Sequence, residues 1–298
     1  MAEPERMPMW ALFSSQSADG RSVDCCSRIG YTPCCVAAQL RHCIGRAVCR
    51  RGAIAWCLVC CLLLSVGAAS LHALEWSVDL ELGTAWFSRN VANLPGRSGD
   101  EVDLRALTGR GPSLQVRAHG MVDWPRHRLR LTAAPFRVNG SGELDSPTRF
   151  GDTTFVAGTS TTADYRFDTY RLSYRYSAVD NERWQLGIGL ALLLRDAEIR
   201  LRQSGLDERT SNVGLVPLLH VSGVYRFDRR WHLLAEVEGA GAAQGRAIDA
   251  TLQLRYAPRV TGPELGLGLR SLEGGADNSE VRAFAWYHSA VVVLGWRW

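Results

Sequence analysis

After Cys61 the chain has no cysteine: all nine (Cys25, Cys26, Cys34, Cys35, Cys43, Cys49, Cys57, Cys60 and Cys61) fall in its first 61 residues. The remaining 237 residues therefore hold no disulfide framework, thiolate metal site or cysteine nucleophile. Lysine is missing altogether, so every basic side chain is arginine or histidine. No P-loop, dinucleotide fingerprint or zinc spacing occurs. Gly274-Gly275-Ala276-Asp277-Asn278 has too few carboxylates for calcium. No cofactor and no metal are expected. Beyond residue 73 the chain carries 27 of the 34 arginines against 26 of the 30 acids. With no basic surplus to hold a phosphate backbone, nucleic-acid binding is not expected.

Long apolar runs are almost as scarce. One occurs, Ala53 to Ala69, behind Arg50 and Arg51 and ahead of small residues, the order of a secretory signal with cleavage after Ala69 or Ala73. A single anchoring helix is the alternative, since the run sits at the low edge of what can span a bilayer. Three segments are expected: residues 1–47, a poorly ordered extension or a mis-assigned start with translation beginning near Val48; residues 48–73, the signal peptide; and residues 74–298, the folded domain.

That domain alternates with a period of two. Trp76, Val78, Leu80 and Leu82 are interleaved with Ser77, Asp79, Glu81 and Gly83. Tyr170, Leu172, Tyr174 and Tyr176 are interleaved with Thr169, Arg171, Ser173 and Arg175. The same rhythm runs through 184–192, 231–238 and 248–256, and it marks strands with one apolar and one polar face. Tight polar turns of similar design recur at Asp123-Trp124-Pro125-Arg126, Asp180-Asn181-Glu182-Arg183-Trp184 and Asp228-Arg229-Arg230-Trp231. Longer Gly-, Ser- and Asp-rich connections are expected at 89–110, 139–163, 203–211, 241–246 and 274–279. Short turns at one end and longer loops at the other predict an all-β, antiparallel up-and-down transmembrane barrel of about ten strands, or eight if 239–272 pairs differently.

The last strand, Glu280 to Trp298, places Ala290, Val292, Leu294, Trp296 and Trp298 on one face. It resembles the closing strand of Gram-negative outer-membrane barrels. In general character the chain resembles the small barrels of the outer-membrane protein A and W type. That resemblance implies outer-membrane localisation, contact with outer-membrane lipid and lipopolysaccharide, and recognition of the terminal strand by the barrel-insertion machinery. Alternation alone also allows a soluble, lipocalin-like ligand-binding barrel with the apolar set inside. The aromatics Trp124, Tyr176, Trp184, Tyr225, Trp231, Tyr256, Trp296 and Trp298 favour lipid, because they gather beside the short turns as an interfacial girdle would.

With that phase the lumen receives Asp79, Glu81, Arg117, His119, Arg128, Arg130, Arg171, Arg175, Arg195, His220, Arg226, Glu236, Glu238, Asp249, Arg255 and Arg270. Charges of both signs across a narrow interior predict an ion-pair network that plugs it. If the lumen conducted, its arginine excess would favour anions. The expected role is structural or at the surface, or passage of a small solute, without enzymatic activity. One hydrolytic alternative exists. His220-Val221-Ser222 places a base and a hydroxyl on one strand face and resembles the His-x-Ser pair of lipid A deacylases, barrels that cut an acyl chain from lipopolysaccharide. The Asn-Ala-Gly that follows the serine in that family is here Gly223-Val224-Tyr225. The acidic loops resemble in kind the loop sites of omptin proteases, with no motif matched.

Overall fold

The computed structural model describes residues 74–242 and 244–298. The expected signal and N-terminal extension lie outside them. The elements are β1 (Glu75–Asn93), β2 (Glu101–Asp103), α1 (Leu104–Thr108), β3 (Ser113–Trp124), β4 (His127–Ala134), β5 (Arg137–Glu143), β6 (Thr148–Phe150) and β7 (Thr153–Phe155). They continue with β8 (Ser160–Asp180), β9 (Trp184–Gln203), β10 (Leu206–Arg226), β11 (Trp231–Ala242), β12 (Gly245–Tyr256), β13 (Gly262–Asp277) and β14 (Arg282–Arg297).

Ten wall strands close on themselves, each antiparallel to its neighbours: β1, β3, β4 continued by β5, and β8 through β14. Closure is made by β14 on β1, from Ser77 opposite Arg297 to Asn93 opposite Arg282. The eight-strand alternative is ruled out, because 239–272 forms regular hairpin pairs. β4 and β5 are one wall strand broken at Pro135, which has no N–H for the ladder.

Register sets the shape. Stepping straight across the ladder from Trp286 passes Glu273, Ile248, Gly239, Leu219, Leu190, Tyr174, Leu129, Val122 and Trp76. Trp76 is bonded to Trp298, so the walk returns to the terminal strand region twelve residues further on. A stagger of this size tilts the strands by ~40° and gives a backbone radius of roughly 10 Å. Two facing arginine or glutamate side chains fill such an interior.

The apolar set points outward. Leu190, Leu267 and Leu269 are each about two-thirds exposed, whereas Glu81, Arg117 and Glu238 are at most 2 % exposed. A lipocalin-like arrangement is thereby excluded. Asn181 and Asp228 build the short turns by the same device: each side-chain Oδ1 accepts the backbone N–H groups two and three residues on, at 2.6 to 3.0 Å. The third residue is a tryptophan each time, so the turn itself sets an indole at the membrane boundary.

Four segments expected as loops are largely strand, among them 274–279, whose first four residues belong to β13. Residues 203–211 and 241–246 belong to the paired ends of β9–β10 and β11–β12. There the outward residues become Asp207, Arg209 and Arg200 and the inward ones include Glu208 and Thr210, so the apolar rhythm stops although the ladder goes on. Segment 139–163 contains β5, the β6–β7 hairpin and the start of β8. Its Gly140 and Gly142 face α1; a Cβ on either would lie 2.6 to 2.7 Å from a helix carbonyl. These glycines make room for a helix that sits inside the barrel mouth.

With α1 and the β6–β7 hairpin folded over it, the loop-side third of the interior is apolar. Phe87, Phe136, Tyr165 and Tyr287 pack there with Leu104 and Leu107, the Phe136 and Tyr287 rings stacked at 5.1 Å. The expected ion-pair network does not extend to this level. Inward Phe and Tyr are covered here by loop side chains that the wall alone does not supply.

Candidate functional site

Below that aromatic ceiling the lumen is an ion-pair lattice drawn from seven wall strands. Asp249 on β12 accepts from three guanidiniums: Arg270 at 2.6 Å, Arg171 at 3.0 Å and Arg117 at 3.2 Å. Arg270 also bonds both oxygens of Glu81 at 2.9 Å. Arg130 reaches Glu236 at 2.6 Å and Glu238 at 3.0 Å, and Arg171 bonds Glu238 as well. Toward the short turns Arg255 bonds Asp79 at 2.7 Å and Glu264 at 3.1 Å. Between lattice and ceiling Gln115 accepts from Ser289 at 2.8 Å and donates to Tyr287. Each charge lies close to an opposite one, the condition under which burial is tolerated.

Most of the expected lumen set is assembled here, and some is not. Arg128 turns to Asp123 at 2.6 Å, at the short-turn mouth. Arg226 lies at the same rim, 3.6 Å from Asp180. Arg195 stands apart near the loop side, bonded to Asn212 at 2.7 Å and to no carboxylate. His119 bonds Thr132 at 2.9 Å. Arg175 is buried without an ion pair, its nearest acceptors being Ser222 Oγ at 3.4 Å and Gln185 Oε1 at 3.5 Å. Gly187 leaves space for it, since a Cβ there would sit 2.6 Å from the Arg175 Cδ. One member was missed, Glu264. It shares parity with Arg270 along β13, and that signal was present in the sequence.

His220 and Ser222 do share the inward face, but they are not a dyad. The His220 ring lies between Glu236 and Glu238, with Nε2 and Nδ1 at 3.6 and 3.5 Å from their carboxylates. The Ser222 hydroxyl accepts from Arg175, and no hydrogen bond joins it to the imidazole. Both are at least 96 % buried behind the wall, out of reach of a bilayer lipid.

Outside, the aromatics expected as a girdle gather beside the short turns. Trp184 and Tyr225 pack at 4.7 Å, Trp231 and Tyr256 at 4.8 Å, and Trp124 stacks on His127 at 5.4 Å. Tyr176 also packs on His127, and Trp296 and Trp298 are exposed on the outer face. A second, sparser aromatic level was missed: Trp86 and Trp286. Ten residues separate Trp76 from Trp86, which at ~3.3 Å per residue and ~40° tilt is roughly 25 Å, the height of a lipid-facing band. On the same upper level β8, β9, β12 and β13 change from apolar to charged, with Arg166–Asp196 at 2.6 Å and an Arg246–Glu273 pair.

Four of the loop carboxylates, Glu101, Asp103, Asp207 and Asp277, are engaged with arginines. Arg97 bonds Asp277 at 2.8 Å and holds its carboxyl below the usual range. Arg105 does the same for Asp103, and Arg200 for Asp207. Among the described residues no group of three or more potential ligands could hold a metal ion.

No protein-family model matches the chain, and no curated protein matches it. Solved structures do. The outer-membrane protease OmpT of Escherichia coli superposes with a TM-score of 0.52 at 8 % identity, over 75 % of this chain and 97 % of that one. Ail of Yersinia pestis gives a TM-score of 0.34 at 8 % identity, over 75 % and 98 % of the two chains. Neisserial surface protein A gives 0.33 at 10 %, over 74 % and 96 %. Closed by its terminal strand, apolar outside between two aromatic levels and ion-paired within, the chain has the fold of a ten-stranded outer-membrane β-barrel.

Proposed function

We propose that this is a closed structural barrel of the outer membrane, which presents its folded loops and polar strand ends at the cell surface and does not conduct solutes. Its partners are the lipids along the girdled band and the insertion machinery that receives β14. One observation carries the reading. Across the middle of the lumen, Arg117, Arg130, Arg171 and Arg270 meet Glu236, Glu238 and Asp249 so closely that the cavity lined by them is about 10 Å³. That is no more than one water requires. The aromatic ceiling lies above it, so a solute would have to displace both layers.

Planar bilayers test this. The reconstituted protein is expected to give no steady unitary current in 1 M KCl at 100 mV. A reproducible open level would contradict the closed reading, and anion selectivity would then point to the arginines.

A further inference from the structure

Two seams of the wall are incomplete: β3 pairs with β4 only up to Ala118 opposite Ala133, while β5 pairs with β8 alone, and the second lies along β10. β10 pairs with β9 along nearly its whole length, from Leu206 opposite Gln203 to Tyr225 opposite Trp184. It pairs with β11 only from Leu219 opposite Gly239 down to Arg226 opposite His232. Above that point β10 offers its second edge to no strand, and Ala240, Gly241 and Ala242 pair with β12 alone. The β11–β12 hairpin is short and its top turns away, whereas β10 runs on toward the loops. Pro217, which has no N–H, lies on the open edge.

Depth makes the seam notable. Val213 is opposite Asp196, at the charged level that bounds the lipid-facing band, so residues 214–218 lie just below it, in the outer-leaflet half. Backbone left unpaired at lipid depth is costly unless something covers it. Behind the seam is a cavity of about 410 Å³, within the range of small-molecule sites. Inward Leu193, Leu218 and Ala247 line it together with outward Leu215 and Ile248, so it passes through the wall. Its floor is the ion lattice at Arg171, Glu238 and Asp249. Arg195 also lines it, at headgroup depth, with no carboxylate partner and with a buried Nε that has no acceptor.

We propose that this seam is a lipid site: one acyl chain of a phosphate-bearing outer-leaflet lipid enters between β10 and the β11–β12 hairpin, and its phosphate rests on Arg195. The chain covers the apolar lining, and the phosphate oxygens supply acceptors to the guanidinium and to the open backbone edge. This goes beyond the closed-barrel reading, and conductance is not its readout, so the two fail separately.

The test is native mass spectrometry of the full chain after incubation with vesicles of phosphatidylglycerol, of lipopolysaccharide, or of an uncharged glucosyl diacylglycerol. One lipid per chain is expected to be retained from a phosphate-bearing source, at least ten-fold more than from the uncharged one. Which source it is, phospholipid or lipopolysaccharide, is read from the adduct mass. Ala247→Trp fills the mouth and is expected to cut retention at least ten-fold, while Val237→Trp on the outer face of β11 leaves it intact. Arg195→Gln is expected to abolish the preference for phosphate. If Ala247→Trp fails to show the heat-dependent gel shift of a folded barrel, Ala240→Phe closes the same mouth. Equal retention by wild type and the filled variant, no retained lipid, or equal retention of charged and uncharged lipids would overturn the proposal.

Discussion

Asp249→Asn is expected to be among the most damaging single changes in the barrel, costing about 3–5 kcal/mol of stability. The substitution keeps the shape and removes one charge, and that charge is shared by Arg117, Arg171 and Arg270. Without it Arg117 keeps only Glu81, at 3.8 Å. Three buried guanidiniums then lean on too few carboxylates, and an uncompensated buried charge is what makes removing one partner expensive. The measurement is the urea midpoint of the protein refolded into vesicles, with an unchanged slope showing that stability and not compactness has altered. Asp277→Asn is the comparison: its partner Arg97 is exposed, solvent screens the pair, and the midpoint is expected to stay where it was. Equal shifts for the two variants would mean that the lattice is not holding the walls together.

The second large effect is on the opposite face. Leu190 is 66 % exposed and lies midway along the lipid-facing part of β9, between Trp184 at the short turn and Asp196 at the upper level. Leu190→Arg is expected to cost about 2–4 kcal/mol, because a guanidinium at that depth must leave water, whereas Ser211→Arg above the band is expected to cost ~0–1 kcal/mol. The same unfolding assay reads both. A penalty that does not depend on depth would remove the bilayer from the explanation.

The parts of this fold that were legible in the sequence are those that period two encodes. Alternation assigned Leu186 and Leu190 to one face and Arg171 and Arg175 to the other, and the Asp/Asn-x-x-Trp turns marked one end of the barrel. Register is different, because it is a relation between strands, and nothing local to β10 says that its pairing with β11 stops at Leu219. The strand ends at 203–211 were hidden for a related reason. Once the outward face meets water, Asp207 and Arg209 stand where apolar residues would mark the strand, and the rhythm that identifies it is lost. Gly140 and Gly142 read as loop residues because their function is to be small beside a helix from elsewhere in the chain. His220 and Ser222 show the limit in the site itself: spacing placed them on one face, but only the fold shows that the imidazole lies between Glu236 and Glu238 while the hydroxyl accepts from Arg175.

Nitroxide labels placed singly at positions 188 to 193 of the reconstituted protein address the inside-out arrangement most directly. Oxygen dissolved in the bilayer is expected to relax the labels at 188, 190 and 192 strongly and those at 189, 191 and 193 weakly, in strict alternation. The opposite phase, or uniform relaxation along β9, would contradict a barrel that turns its leucines to lipid and its arginines to one another.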